Sequence, residues 1–230
     1  MNVLLTGCCG FIGMHLSCKL LSMGYNVYGV DSLNDYYSVQ LKRDRLANIC
    51  EQQNSAKFTF YHSKIEEPDF LNELPNIDMV FHLAAQAGVR YSIENPTAYV
   101  DSNVRGFQVV IDFCVRNDIK KFFYASSSSV YGATKNIPFL ESEKLDVGKS
   151  FYALTKQFNE KVARLYHELY DMNSVGLRFF TVYGPWGRPD MAPFLFTKAA
   201  FDNTTIEVFN HGKQRRDFTY IDDIINGIIG

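Results

Sequence analysis

The chain has 230 residues and a formal net charge of −2, from 23 basic and 25 acidic side chains. A chain of this length can bury a substantial core as one large domain, or as one domain and part of another. The near-neutral charge gives no reason to expect nucleic acid or an anionic membrane as a partner.

The five cysteines are odd in number and lack the spacing of a zinc site. We interpret them as reduced thiols of a cytoplasmic protein, since disulfides are rare in that compartment. The first residues do not read as a signal peptide, and no apolar run is long enough to span a bilayer. The expectation is a cytoplasmic protein without a membrane-spanning segment.

The first predicted element is a short strand at 2–6, followed by a glycine-rich turn and a helix. This order of elements is the context of a dinucleotide-binding turn. Gly7 permits the tight turn, Gly10 lets the backbone approach a pyrophosphate at the helix N-terminus, and Gly13 lets helix and strand pack closely. The spacing is a Gly-x-x-Gly-x-x-Gly variant of that fingerprint, and an ordinary glycine turn is the alternative.

The second predicted strand covers 26–31 and ends in an acid, Asp31, which stands 18 residues after Gly13. A carboxylate at this place accepts hydrogen bonds from the adenosine ribose hydroxyls and repels a 2′-phosphate, so it favours NAD over NADP. The alternative is an aspartate that only begins the turn at 31–34.

Helices and strands alternate through the middle of the chain. A charged amphipathic helix is predicted at 40–50, and strands are predicted at 58–61 and 78–83. Small residues follow at 84–88, where the backbone can lie against a cofactor. A longer helix is predicted at 97–115, with an apolar stripe that suits the core or a dimer face. Strands that alternate with helices predict a parallel, doubly wound sheet.

A run of four serines, Ser126–Ser129, follows the strand-like residues 122–124, and Tyr152 and Lys156 begin the next helical pattern. Residues four apart share a helix face, so the Lys156 ammonium can approach the Tyr152 phenol. A nearby cation favours the phenolate, which could take a proton near neutral pH, and a serine hydroxyl opposite would hold a substrate oxygen. An exposed tyrosine beside a lysine is the alternative for this motif alone.

The helix that begins near Tyr152 is predicted to bury one apolar stripe and to leave Tyr152 and Lys156 on the opposite face, toward a cleft. The predicted stripe consists of Leu154, Phe158, Val162, Leu165 and Leu169.

After the following strand the regular alternation stops, and glycines and prolines make 184–193 rich in loops. Loops beyond the carboxyl ends of such a sheet form the ligand crevice. Short strands are predicted at 206–210 and 218–220, as a hairpin that carries Arg215 and Arg216. An arginine there can bind a diphosphate through bidentate hydrogen bonds, whereas a solvated charged turn is the alternative.

Together these motifs resemble the extended short-chain dehydrogenase/reductase family of nucleotide-sugar epimerases and dehydratases, over essentially the whole chain. The matching positions, in family order, are Gly7, Gly10, Gly13, Asp31, 82–85, Asn103, Ser127, Tyr152, Lys156 and 216–218. Within the family the chain is most similar to UDP-glucuronate 4-epimerases, through the stretches 31–37, 85–91 and 178–191. The implied fold is a Rossmann-like, doubly wound parallel sheet with a smaller, partial C-terminal substrate lobe.

The resemblance implies roles for individual residues. Tyr152 would take the proton of the sugar C4 hydroxyl, Lys156 would lower the Tyr152 pKa and hold the nicotinamide ribose, and Ser127 would bind the C4 oxygen. NAD would accept the C4 hydride, and the 4-keto sugar would turn over and receive it on its other face. Other implied NAD contacts are Gly7, Gly10, Phe11, Ile12, Gly13, Asp31, Ile65, Leu83, Ala84, Ala85 and Asn103. The implied contacts to a UDP-sugar are Arg90, Ser127, Ser128, Ser129, Thr181, Arg188 and Arg216.

The resemblance also bears on the substrate. Related dehydratases and decarboxylases carry an acid where this chain has Ser128 and Ser129, and UDP-galactose 4-epimerases usually have Asn where it has Thr181. Small hydroxyls suit a carboxylate. With Arg188 they could hold the C5 carboxylate of a 4-keto sugar out of the geometry for losing CO2. The implied activity is 4-epimerisation of UDP-glucuronate to UDP-galacturonate.

Three other readings stay open: a 4-epimerase for a neutral UDP-hexose or UDP-N-acetylhexosamine, a UDP-glucuronate decarboxylase, and a truncated NAD-binding module without turnover. Lys64 stands where relatives have an adenine-contacting Asp, so that only backbone contacts from Ile65 would remain. Cys8 and Cys9 replace the usual small residues of the glycine turn. Both departures put the affinity for the cofactor in question.

The organisation of the chain follows from the same resemblance. We expect an NAD-binding domain at 1–182 and an incomplete substrate-binding segment at 183–230, because the chain ends inside an apparent helix where relatives continue. We also expect a homodimer, formed through the helices at 97–115 and 151–170.

Overall fold

The computed structural model describes residues 1–134, 136–143, 145–213 and 215–230. Its centre is a six-stranded parallel sheet with the order β3-β2-β1-β4-β5-β6, which confirms the predicted doubly wound sheet. The strands are β1 (Asn2–Thr6), β2 (Asn26–Asp31), β3 (Phe58–His62), β4 (Met79–His82), β5 (Lys121–Ser127) and β6 (Asn173–Phe179). A smaller parallel pair consists of β7 (Thr181–Tyr183) and β8 (Phe218–Tyr220).

Helices connect these strands. They are α1 (Phe11–Ser22), α2 (Val39–Cys50), α3 (Tyr91–Glu94), α4 (Pro96–Tyr99), α5 (Gly106–Arg116), α6 (Phe151–Tyr170), α7 (Ala192–Asp202) and α8 (Ile221–Ile229). The helix expected at 97–115 is one helical stretch from α4 to α5, but its middle, Val100–Arg105, is π-helical. Such bulges occur often at functional sites, and this one contains Asn103.

The core has two layers, one on each face of the sheet. Val3 and Leu5 pack in the layer with α1 and α8, whereas Leu4 between them packs in the layer with α5. This follows from the period of two in a strand, and burial on both faces explains why β1 is an apolar run without polar alternation.

The predicted buried stripe of α6 is wrong at four of its five positions. Leu154, Phe158, Leu165 and Leu169 are 42%, 40%, 48% and 61% exposed, whereas Val162 is partly buried and packs against the core. The buried face is instead made of small and polar residues, which allow the close approach of the sheet and find hydrogen-bond partners there: Ala153, Thr155, Lys156, Gln157, Asn159 and Ala163. The prediction failed because apolar character alone does not tell a core-facing stripe from an exposed one.

The hairpin expected near the C-terminus is also wrong. No strand forms at 206–210, where Phe209–Gly212 is a short 3₁₀ helix, and β8 pairs in parallel with β7 instead. Helix α8 then returns to α1, and its isoleucines join the core beside Leu16 and Leu20. The expected domain boundary at 182/183 stays a prediction.

All five cysteines are free thiols, in agreement with the expected reduced state, while the cytoplasmic location stays a prediction. In the part of the chain that the structure describes, none of the helices has the length and hydrophobicity needed to cross a bilayer.

Candidate active site at the carboxyl edge of the sheet

The carboxyl ends of the parallel strands open onto a cleft with a volume of about 1610 Å³. The strand order reverses between β1 and β4, and ligands of open α/β sheets bind at such a point. Every residue that the sequence analysis assigned to NAD, catalysis or substrate lines this cleft, except Asn103. The fold therefore collects side chains from distant parts of the chain at one place.

The glycine turn after β1 lies close to the backbone of the segment after β4 and to the start of α1. Gly7 has a φ of +75°, and a Cβ added to it would lie 2.7 Å from the backbone nitrogen of Ala84. A Cβ on Gly13 would lie 2.0 Å from the carbonyl oxygen of Gly7. Together with Gly10, Phe11 and Ile12 at the start of α1, the turn opens on the cleft. This cradle, with the free N–H groups of a helix N-terminus, fits a pyrophosphate.

Asp31, at the end of β2, is held by two backbone donors. One carboxylate oxygen accepts from Leu33 N (2.9 Å), and the other accepts from Cys9 N (3.0 Å). Burial raises the pKa of this carboxyl group, while those two bonds and the charges of Lys42 and Arg45 oppose the rise. Each oxygen keeps further acceptor capacity, so the carboxylate can bind the two hydroxyls of a ribose.

On the adenine side, Lys64 and Ile65 both line the cleft but differ in burial. Lys64 is exposed and pairs with Glu67 at 3.3 Å, with both side chains more than half exposed. Ile65 is 5% exposed and lines the cleft. The apolar side chain of Ile65 therefore lines the cleft next to Lys64, the residue expected to replace an adenine-contacting Asp.

Asn103 lies behind the cleft wall and is 1% exposed. Its amide nitrogen donates to Gln86 O (3.0 Å) and Thr155 Oγ1 (3.1 Å), and its oxygen accepts from Gln86 N (2.7 Å). Asn103 thus ties the π-helical segment to the segment after β4 and to α6. A direct NAD contact of its side chain stays a prediction.

The end of β5 faces the first turns of α6, and this brings the three predicted catalytic residues together. The hydroxyl of Ser127 accepts from Ser129 N (3.2 Å) and Ser129 Oγ (2.9 Å). Lys156 donates from Nζ to Ala125 O (2.8 Å), and this nitrogen lies 6.0 Å from the centre of the Tyr152 ring. The serine hydroxyls, the phenol and the ammonium all line the cleft.

The electrostatics of this trio differ from the expectation. Burial raises the pKa of Tyr152, while the Ser127 hydroxyl and the charge of Arg188 oppose the rise. Burial also lowers the pKa of Lys156 to about 8. The lowering of the Tyr152 pKa expected from Lys156 is therefore not seen, because the ammonium donates to the Ala125 carbonyl and its nitrogen lies 6.0 Å from the ring centre of Tyr152.

A partly buried ion pair beside the catalytic residues was missed by sequence reasoning. Arg178 on β6 donates to both carboxylate oxygens of Glu160 on α6, at 3.0 and 2.9 Å, and the Ser126 hydroxyl donates to the same carboxylate. Glu160 stands four residues after Lys156 and eight after Tyr152, so all three share one helix face. That spacing was the signal that could have found it.

Thr181 and Arg188 line the same cleft as the serines. Arg188 is paired with Asp190, through bonds of 3.0 and 2.5 Å, and the Tyr36 hydroxyl donates to Asp190 at 3.2 Å. Tyr36 and Asp190 were not predicted as site residues, although both lie in stretches that carried the resemblance. Arg90 and Arg216 line the outer part of the cleft and are exposed.

Comparisons with known proteins agree with this geometry. Residues 3–229 match the NAD dependent epimerase/dehydratase family. Protein CapI of Staphylococcus aureus is 52% identical over 233 residues, covering 99% of this chain and 68% of that protein. UDP-glucuronate 4-epimerase 4 of Arabidopsis thaliana is 46% identical over 235 residues, covering 99% of this chain and 53% of that protein.

A similar fold is found in the crystal structure of UDP-glucuronic acid 4-epimerase from Bacillus cereus in complex with UDP-glucuronic acid and NAD. The TM-score is 0.91 at 36% sequence identity, and the match covers 100% of this chain and 72% of that chain. The predicted Rossmann-like fold, the NAD cofactor and the epimerase class of isomerase are thereby confirmed. The chain belongs to the NAD dependent epimerase/dehydratase family.

Proposed function

We propose that this NAD-dependent UDP-sugar epimerase acts on a hexuronic acid and converts UDP-glucuronate to UDP-galacturonate. The observation that carries the substrate assignment is the composition of the cleft wall around Tyr152. It presents the hydroxyls of Ser127, Ser128, Ser129 and Thr181 together with the guanidinium of Arg188. Hydroxyl donors and a guanidinium are suited to a carboxylate, and an additional acid at 128 or 129 would repel it.

The residues of the cleft fit NAD. The glycine turn would receive the pyrophosphate, Asp31 the adenosine ribose, and Ile65 the adenine, while Lys156 and Tyr152 would lie beside the nicotinamide ribose. When bound, the cofactor supplies reversible hydride acceptance at the sugar C4. All remaining steps fall to side chains of this chain.

Tyr152 is the residue we assign to proton transfer at the C4 oxygen. Its pKa is raised by burial in the structure, so the phenol holds its proton near neutral pH until a positive charge favours the phenolate. Arg188 already acts in that direction, and Lys156 would do so once its Nζ turns from Ala125 toward the phenol. Ser127, which also lowers the Tyr152 pKa, would hold the same substrate oxygen.

The carboxylate must be restrained during the reaction. A 4-keto sugar with a carboxylate at C5 is a β-keto acid, and it loses CO2 when the C5–carboxylate bond aligns with the carbonyl π system. The hydroxyls of the serine run and Thr181, together with the guanidinium of Arg188, would keep the carboxylate away from this alignment. Replacement of Arg188 is therefore expected to raise the share of UDP-pentose.

A second candidate is a 4-epimerase for a neutral UDP-hexose. The observation that favours it is the pairing of Arg188 with Asp190, which already neutralises the guanidinium. A hexuronic acid would have to displace Asp190 from Arg188 or share the arginine with it, whereas a neutral sugar would not. Comparing UDP-glucuronate with UDP-glucose as substrate separates the two candidate functions.

The test is incubation of the purified chain with NAD and either UDP-glucuronate or UDP-glucose, with products resolved by chromatography and NMR. We expect UDP-galacturonate from the first substrate and little turnover of the second. Tyr152→Phe should lower the rate by about 10²- to 10⁴-fold, the usual contribution of general acid–base catalysis. Turnover of UDP-glucose alone, or UDP-pentose as the main product of wild type, would contradict the proposal.

We also propose that the chain forms a homodimer through α6 and the helical stretch from α4 to α5. Leu154, Phe158, Leu165 and Leu169 of α6 are exposed, and Val100 at the start of the π-helical segment is 43% exposed. Several exposed apolar side chains on one helix are typical of an interaction site. A second copy of the same face would cover it.

A further inference from the structure

The segment 184–191, which carries Arg188, is held by elements of the cofactor side. His15 on α1 shares a hydrogen bond with Pro185 O at 3.0 Å, and Tyr36 in the loop after β2 donates to Asp190. Arg45 on α2 makes a shorter contact, a hydrogen bond of 2.6 Å to Trp186 O. The position of Arg188 is thus set from the direction of the dinucleotide-binding turn.

Arg45 is 0% exposed, and its guanidinium bonds to three segments of the chain. One nitrogen donates to Trp186 O (2.6 Å) and Gly187 O (3.2 Å), and the other donates to Cys9 O (3.2 Å) and the Tyr37 hydroxyl (2.7 Å). Cys9 belongs to the glycine turn. The single ammonium of a lysine cannot reproduce these four hydrogen bonds, which need the two terminal nitrogens of a planar guanidinium.

The backbone at the contacted segment needs such support. Trp186 has a φ of +63°, in the left-handed region that side chains other than glycine rarely occupy, and Gly184 has a φ of +141°. A residue in this region persists only where its surroundings hold it. The carbonyl of Trp186 is the one that receives the 2.6 Å bond from Arg45.

Burying a guanidinium costs folding free energy unless its N–H groups are hydrogen-bonded. In Arg45 the two terminal nitrogens are bonded, whereas Nε has no partner among the described residues. No carboxylate forms an ion pair with Arg45 in the described part of the chain, so its charge faces the carbonyl oxygens of Cys9, Trp186 and Gly187. The arrangement uses the cation to join the glycine turn to the substrate segment.

We propose that Arg45 is a positioning residue, which fixes segment 184–191 to the glycine turn and thereby places Arg188 against the substrate in the cleft. Arg45 itself does not line the cleft. The consequence for catalysis rests on the proposed function, because Arg188 is assigned there to the hexuronate carboxylate. The consequence for the segment does not depend on which sugar is bound.

The chain contains one tryptophan, Trp186, and it lies in the segment itself. Its fluorescence therefore reports the segment directly. In Arg45→Lys we expect acrylamide to quench Trp186 more strongly than in wild type, whereas Arg43→Lys, two positions away and exposed, should match wild type. Unchanged quenching in a folded Arg45→Lys, as checked by circular dichroism, would overturn the proposal.

Tyr37→Phe is a milder variant, for the case that Arg45→Lys does not fold. It removes the 2.7 Å bond that orients Arg45 and keeps the aromatic ring on which the guanidinium lies. A smaller rise in quenching is expected. Quenching equal to that of wild type in this variant would also contradict the proposal.

The activity arm uses UDP-glucuronate. Arg45→Lys should lower kcat/KM by about 10²-fold, the cost of a small misplacement of a substrate-binding group, and should raise the share of UDP-pentose. The double variant Arg45→Lys/Arg188→Lys should show no larger pentose share than Arg188→Lys alone, since both act through the same guanidinium. Additive pentose shares would contradict positioning through Arg188. If wild type shows no turnover, the proposed function fails, while the quenching result still decides the role of Arg45.

Discussion

At the scale of single residues, burial is the main influence on the pKa values of Tyr152 and Lys156. Lys156 is 2% exposed, and its ammonium has one carbonyl partner, Ala125 O. The α6 N-terminus, capped by the Ser150 side chain, provides positive electrostatic potential near Tyr152. Burial thus keeps the phenol protonated, and a positive charge brought close to it would favour the phenolate.

Lys156→Met tests the burial of the ammonium. The pKa of Lys156 is about 8 in the folded state and 10.5 in the unfolded state. Below pH 8 the lysine is charged in both states, so its burial lowers the free energy of unfolding by the full amount. The cost disappears as pH rises from 8 to 10.5. The free energy of unfolding of wild type minus that of Lys156→Met should therefore rise over this window, by up to about 3 kcal/mol at ~1.4 kcal/mol per pH unit.

Urea denaturation of the cofactor-free protein at pH 7 and pH 10.5 measures this difference. Lys161→Met, an exposed position on the same helix, serves as the control and should show no such dependence. A difference that stays constant or falls with rising pH would contradict the burial argument.

At the scale of elements, two packing contacts place the site. The first is the partly buried pair of Glu160 on α6 and Arg178 on β6, with side chains 16% and 17% exposed. Removing one partner leaves the other charge unpaired and its hydrogen bonds unmade, so Glu160→Gln should destabilise the fold by about 2 kcal/mol. Glu168→Gln breaks the exposed pair with Arg164 on the same helix and should cost about 0.5 kcal/mol or less.

Urea unfolding gives both values, and equal effects of the two substitutions would mean that the Glu160 pair contributes no more than a surface pair. Because the Ser126 hydroxyl also donates to Glu160, the same variant should reduce kcat through the neighbouring Ser127. Arg178→Met/Glu160→Leu should recover part of the lost stability, since no unpaired charge remains.

The second contact is the start of α1 against the glycine turn. Gly13→Ala places a Cβ 2.0 Å from the Gly7 carbonyl, where only backbone could yield, so NAD binding and the free energy of unfolding should both fall sharply. Gly227→Ala in α8 meets no atom within 4 Å and should be neutral or stabilise by up to about 1 kcal/mol, the helix preference of alanine over glycine. Calorimetric titration with NAD separates the two, and normal binding by Gly13→Ala would show that the turn can open.

At the scale of the whole molecule, the exposed face of α6 predicts the oligomeric state. A stable homodimer buries at least about 1,200 Å² in total, and a charge at the centre of such an interface is strongly unfavourable. Leu165→Glu should therefore convert a dimer to a monomer in light scattering after size-exclusion chromatography. Phe201→Glu, at an 87% exposed position of α7 outside the proposed interface, is the control and should leave the dimer intact. A wild-type monomer would contradict the dimer directly.

The sequence by itself determined the alternation of strands and helices in the central sheet, the dinucleotide turn and many of the residues that line the cleft. Each of these depends on local chemistry: glycine spacing after an apolar strand, an acid at the end of β2, and Tyr152 and Lys156 one helical turn apart. A parallel sheet then brings the carboxyl ends of its strands to one edge, so that Asp31 and Ser127 both line the cleft.

Only the tertiary structure decided which face of α6 is buried, how β8 pairs, and what surrounds the reacting groups. The apolar stripe of α6 carries no information about whether sheet or solvent lies beside it, and small and polar residues took the buried face because they fit against β5 and Asn103. Helix spacing places Glu160 on the face of Tyr152 and Lys156, but its pairing with Arg178 depends on how α6 packs on β6. The bonds of Arg45 to Trp186 and of Tyr36 to Asp190 likewise join segments far apart in the chain, which local residue patterns do not encode.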